Sequence, residues 1–259
     1  MIRLRSAAVL LSAGLLASCG DKQGAQDILG SLPGARVKFF NFGVNAPSVN
    51  FYANDRKMTA ITSGTGVEST TGVAYGGVGS GGFYSAIEPG QYTFSGRISA
   101  ATDKDLAVAS AAATLADGKA YTFYMSGIYD ATAKKADAFV VEDNFPADID
   151  YAATYVRFVN ASSNSQPMAL VVKNPNAGNA IVGATTVTAY KSASPFVRIP
   201  GSVAADLETV AAGSSTPLVT RTGVALVVGR VYTITLRGDM TVTSTTSANR
   251  PQLDFTANR

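Results

Sequence analysis

Val37-Lys38-Phe39-Phe40-Asn41 and Val156-Arg157-Phe158-Val159-Asn160 are one phrase written twice, 119 residues apart. Both are strand-length and built largely of β-branched and aromatic residues. Outward from this phrase the repetition continues. Pro89-Gly90 returns as Pro200-Gly201, and Leu115, Gly118, Lys119, Tyr121 and Thr122 return as Leu226, Gly229, Arg230, Tyr232 and Thr233, now 111 residues apart. A period of that size marks a duplicated structural unit. The change of offset falls between Asn41 and Pro89, where the first copy carries a Gly-rich stretch.

Within the first copy, strands are read at Arg36 to Phe42, Val49 to Ala53, Phe83 to Ile87, Tyr92 to Ile98, Leu106 to Leu115, Tyr121 to Ile128 and Ala138 to Glu142. Asn54-Asp55, Pro89-Gly90 and Asp117-Gly118 supply the turns between them. About seven short strands in about 110 residues predict a sandwich of the immunoglobulin type. Composition agrees: of 259 residues 46% are hydrophobic and only 15% charged, with 25 Gly, which suits strands better than charged helices. The fold class is all-β, with two tandem immunoglobulin-like antiparallel β-sandwich domains at 35–146 and 154–259.

Leu115-Ala116-Asp117-Gly118-Lys119-Ala120-Tyr121 and Leu226-Val227-Val228-Gly229-Arg230-Val231-Tyr232 share a Leu-x-x-Gly-x-x-Tyr spacing. It predicts a tyrosine corner in each copy, the hydroxyl of Tyr121 and of Tyr232 returning to backbone a few residues upstream.

The amino terminus belongs to neither copy. Arg3 and Arg5 precede the apolar run Ser6 to Leu16, which is shorter than the roughly 20 residues of a membrane-spanning helix and reads as a signal peptide. It ends in Leu16-Ala17-Ser18-Cys19, which resembles the lipobox of bacterial lipoproteins. That resemblance implies cleavage after residue 18 and lipidation of Cys19, leaving residues 19–34 as a tether to the membrane. Gly20 rather than Asp after the cysteine favours the outer membrane by the enteric sorting pattern.

The first copy also resembles the bacterial domain-of-unknown-function 4397 family, from about Ala35 to Asn144. The likeness rests on Val37-Lys38-Phe39-Phe40-Asn41, Asn45-Ala46-Pro47-Ser48-Val49-Asn50-Phe51-Tyr52, Ile87-Glu88-Pro89-Gly90-Gln91-Tyr92 and Leu115 through Tyr121. It implies exported β-sandwich modules, often in tandem and often on lipoproteins, with no assigned activity. The second copy has Val203 where the first has Tyr92 and is the divergent member.

Little in the chain carries catalytic chemistry. It has no His and one Cys, which removes the commonest general base and any multi-thiolate metal site. No serine stands in a nucleophile elbow, and the spacing of Glu68, Glu88, Glu142 and Glu208 brings no two carboxylates together. The expectation is a protein that is not an enzyme. Loss of Arg3 and Arg5 with the signal leaves 19 basic against 18 acidic residues, with no basic cluster for nucleic acid. Gly77-Val78-Gly79-Ser80-Gly81-Gly82 has the spacing of a nucleotide-binding turn but no helix to follow it, so no nucleotide is expected. Thr62 to Gly82 reads instead as a long loop, the place where binding elements concentrate. Tyr75, Phe83 and Tyr84 are its candidate ligand-contacting residues, for a glycan or small-molecule partner. Asp143, Asp148 and Asp150 between the copies offer oxygen ligands suited to Ca²⁺. No other cofactor is expected beyond the lipid on Cys19, and the remaining partners are the membrane and an unidentified protein.

Overall fold

A computed structural model describes residues 34–60, 67, 68 and 70–258. Cys19, the signal peptide and the tether to residue 33 lie outside the described residues. The first copy supplies β1 (Ala35–Asn41), β2 (Val49–Ala53), β3 (Arg56–Lys57), β4 (Gly77–Val78), β5 (Ser85–Ile87), β6 (Gly90–Ile98), β7 (Ala107–Leu115), β8 (Ala120–Asp130) and β9 (Lys135–Glu142). The second supplies β10 (Ala153–Asn160), β11 (Met168–Asn174), β12 (Ala180–Ala184), β13 (Ser192–Ala193), β14 (Val197–Pro200), β15 (Val203–Ala211), β16 (Pro217–Leu226), β17 (Val231–Arg237) and β18 (Gln252–Ala257).

The repeat in sequence is a repeat in topology. One sheet of each copy runs β3-β2-β6-β7 or β12-β11-β15-β16; the other runs β4-β1-β8-β9 with β5 also on β1, or β13-β10-β17-β18 with β14 also on β10. The strands that the sequence pattern leaves out of the first copy, β3 and β4, are two residues each, too short to show a periodicity. Pairing is not wholly antiparallel. β1 lies parallel to β8 with Val37 opposite Tyr121 and Phe39 opposite Phe123, and β10 lies parallel to β17 with Val156 opposite Tyr232 and Phe158 opposite Ile234. A parallel pair needs a long crossover, and here most of each copy is that crossover.

Each sandwich closes on its own core. Phe39, Phe51, Phe94 and Phe123 meet in the first with ring centroids 5.3 to 6.1 Å apart, a spacing suited to offset and edge-on aromatic contact. The second is mainly aliphatic, around Leu170, Leu207, Ile234 and Leu236.

The outward faces of the two β1-type sheets are buried as well. β10 and β17 are buried at every residue, and most of β1 and of β8 likewise, whereas a sheet with one wet face alternates. A third cluster explains it: Phe40, Phe42, Tyr124, Phe139 and Val141 of the first copy pack with Val159 and Ala161 of the second. The result is four stacked sheets with two cores and a shared seam, all within one compact unit that begins at Gly34. The two sandwiches, expected as tandem domains, are fused along this face. Among the described residues no helix is long and apolar enough to cross a membrane.

Candidate functional site at the seam

Both expected corner tyrosines open the strands that border this seam. Tyr121 Oη accepts the backbone N–H of Ala116 at 3.0 Å, and Tyr232 Oη accepts that of Val227 at 3.3 Å. Gly118 and Gly229, at φ of 70° and 73°, make the left-handed turn between donor and ring that a Cβ would strain. Tyr155 repeats the device, accepting from the N–H of Asp150 at 3.1 Å.

Next to these corners lies a buried polar network. Arg157, in second place of the repeated phrase, is 2% exposed and pairs with Asp143, itself 3% exposed. Its Nε donates to Thr233 Oγ1 at 2.9 Å and an outer nitrogen donates to the Glu142 carbonyl at 3.2 Å. Asp143 also accepts from Thr122 Oγ1 at 2.7 Å and from Tyr84 Oη at 2.6 Å. Such a pair is tolerated away from water because its remaining valences are filled.

Lys38, at the equivalent place in the first copy, is 2% exposed. Its Nζ sits 4.2 Å over the centre of the Tyr84 ring and donates to Asn258 Oδ1 at 3.2 Å. The Asn258 amide nitrogen donates onward to Thr233 Oγ1 at 2.7 Å, closing the network across both sandwiches. Burial holds the Lys38 ammonium down to about 8, an effect partly offset by the Asp143 carboxylate. Burial, and then the charge of Asp143, pushes the Tyr84 phenol well above its ordinary value. Tyr124, wholly enclosed in the seam, is pushed up to about 12 by burial.

A cleft of about 510 Å³ opens beside Lys38, lined by Phe40, Gly81, Gly82, Phe83 and Tyr84 from the first copy and Arg230, Phe255 and Asn258 from the second. Phe83 is 78% exposed at this cleft. A second cleft of about 510 Å³ also spans the copies, lined by Glu142, Asn144, Tyr155, Arg157, Phe196 and Arg198 among others.

The structure thus brings Phe83 and Tyr84 together but separates Tyr75 from them. Tyr75 packs under the Arg237 guanidinium at 4.9 Å, with its hydroxyl buried and without a hydrogen-bond partner. Part of the loop expected from Thr62 to Gly82 is ordered, at its end. Gly77 and Val78 pair with Asn41 and Phe40 of β1, and Gly79–Gly82 forms a tight turn with positive φ at Ser80, Gly81 and Gly82. Gly79 is required by proximity, since a Cβ there would stand 2.6 Å from Thr59 Cγ2.

Nor are Asp143, Asp148 and Asp150 gathered into an oxygen cage. Both Asp143 oxygens are occupied inside the seam, while Asp150 pairs with Arg198 and accepts the Ala152 N–H at 2.8 Å. Among the described residues no three His, Cys, Asp or Glu side chains meet where a metal could be held. Lys38, Arg157 and Asn258 were not legible as site residues, although the repeated phrase places a basic side chain at the same position in both copies.

Two sandwiches of identical strand order, joined by the buried basic residue of each repeat, define the class: a duplicated β-sandwich protein. The chain belongs to the family described as Domain of unknown function (DUF4397), which matches residues 35–171. The match covers the first sandwich and runs on through β10 into β11. No curated protein matches the sequence.

Proposed function

We propose that this chain is a non-enzymatic cell-envelope lipoprotein, anchored at the outer membrane through lipid on Cys19, that presents its two sandwiches for binding or surface organisation. The observation that carries the reading is Leu16-Ala17-Ser18-Cys19 after a short apolar run. The chain's only cysteine stands at the lipobox position. Acyl chains on one residue give lasting attachment once about two are present. The fused seam supports presentation as one body, because a buried pair and an aromatic cluster resist hinge motion between the sandwiches. The partner is a protein or a glycan; the charge balance speaks against nucleic acid, and the Gly-rich turn runs into a strand rather than the helix a nucleotide site uses.

A second reading, a module for a glycan or small ligand, is favoured by one observation: exposed Phe83 stands beside Tyr84, Lys38 and Arg230 in a cleft formed by both copies. In either reading the lipid is the only attached group that the function requires. Metabolic labelling with a fatty acid tests the anchor. Wild type should take up label and Cys19→Ser should not; equal labelling of the two would refute the lipoprotein assignment.

A further inference from the structure

We propose that Lys38 and Asn258 are partners in a self-formed isopeptide bond that ties β1 to the segment just after β18. Lys38 Nζ and Asn258 Oδ1 are 3.2 Å apart, so Nζ stands no more than one carbonyl bond farther from Cγ. Both groups are fixed. The Lys38 stem is enclosed in the seam with Nζ held over the Tyr84 ring. The Asn258 carboxamide is oriented by its bond to Thr233 Oγ1 at 2.7 Å, and its backbone N–H is tied to the Val231 carbonyl at 2.8 Å. Holding two reacting groups within reach of each other replaces an encounter in solution by an intramolecular step.

The surroundings also raise the share of free amine. Asp143, the nearest buried carboxylate in the network, is taken up by Arg157, Thr122 and Tyr84 and forms no ion pair with Lys38. With Lys38 held down to about 8, roughly a tenth of it is unprotonated near neutral pH, against well under a thousandth for an ordinary lysine. The unprotonated Nζ adds its lone pair to Asn258 Cγ, and the carbonyl electrons move to Oδ1. When the carbonyl reforms, the Nζ–Cγ bond stays, the Cγ–Nδ2 bond breaks, and one Nζ proton passes to Nδ2, which leaves as ammonia. The step uses no oxidant, reductant or third reactant. Thr233 is the positioning residue for the leaving nitrogen.

The bond would span 220 residues of chain and both sandwiches, the kind of long closure for which a cross-link restricts the unfolded chain most.

Peptide mapping of the full-length protein tests this directly. Trypsin does not cut after an acylated lysine, so the expected product is Val37–Arg56 joined to Gly238–Arg259, lighter than the two peptides together by one ammonia. Lys38→Arg and Asn258→Ala should each restore cleavage after residue 38 and free the Gly238–Arg259 peptide. The proposal is overturned if wild-type protein, fresh or after prolonged incubation at about pH 9 to deprotonate the amine, is cut after Lys38 and yields a free carboxy-terminal peptide. It is equally overturned if Asn258 loses ammonia only within its own peptide, as a cyclic imide. The decisive readout is on wild type, so a variant that folds poorly leaves the result intact.

Discussion

At Tyr121 and Tyr232 a phenol oxygen does the work of a backbone carbonyl, satisfying an N–H five residues upstream where the chain turns between strands. Changing either to Phe keeps the ring in its core and strands that N–H. Ala116 and Val227 are exposed, so the loss is that of an ordinary hydrogen bond, about 0.5–1.5 kcal/mol. The loss should be larger at Tyr121, whose bond is 3.0 Å, than at Tyr232, whose bond is 3.3 Å. The two losses should add, since the rings belong to different cores and share no partner. Urea denaturation of the single and double variants measures all of this. Losses below about 0.5 kcal/mol at both sites, the level of a surface change, would show that the corners contribute no stability.

Between elements, the decisive contact joins β10 to the residue after β9. Arg157 and Asp143 are both cut off from water, and removing one leaves the other charged and unpaired, which costs about 3–5 kcal/mol. Arg157→Met and Asp143→Leu should therefore each be strongly destabilising. The double variant should be more stable than either single one, because no bare charge remains. A double-mutant cycle by chemical denaturation checks this. Simple addition of the two losses would mean that the ion pair is not what holds these elements together. The same network explains why β1 and β10 tolerate a basic residue in the middle of an otherwise apolar strand: Lys38 and Arg157 each meet an acceptor contributed by a distant segment.

For the whole molecule, the seam decides whether the two sandwiches melt together. Phe40, Tyr124, Phe139 and Val159 lose their apolar surroundings if either sandwich unfolds alone, so the copies should unfold in one calorimetric transition. Phe40→Ala, deleting a ring from the seam at about 3–5 kcal/mol, should lower that transition or split it in two. Two well-resolved transitions in wild type would show that the cores are energetically independent.

The sequence alone determined the duplication, the all-β class and the corners. Each is written locally: a strand phrase repeated at a fixed spacing, turn formers at Pro89-Gly90 and Asp117-Gly118, and a tyrosine at a set distance from a glycine. It also singled out Phe83 and Tyr84, but not what each does. Only the tertiary structure decided that Asp143 is a buried counter-ion rather than a linker carboxylate, that Tyr75 packs under Arg237, and that Lys38 faces Asn258. The physical reason is that period-2 alternation tells which side chains share a face but not what that face meets. Whether the face is wet or dry, and so whether a lysine there is a solvated charge or a buried amine, depends on a second sheet folded from residues far along the chain.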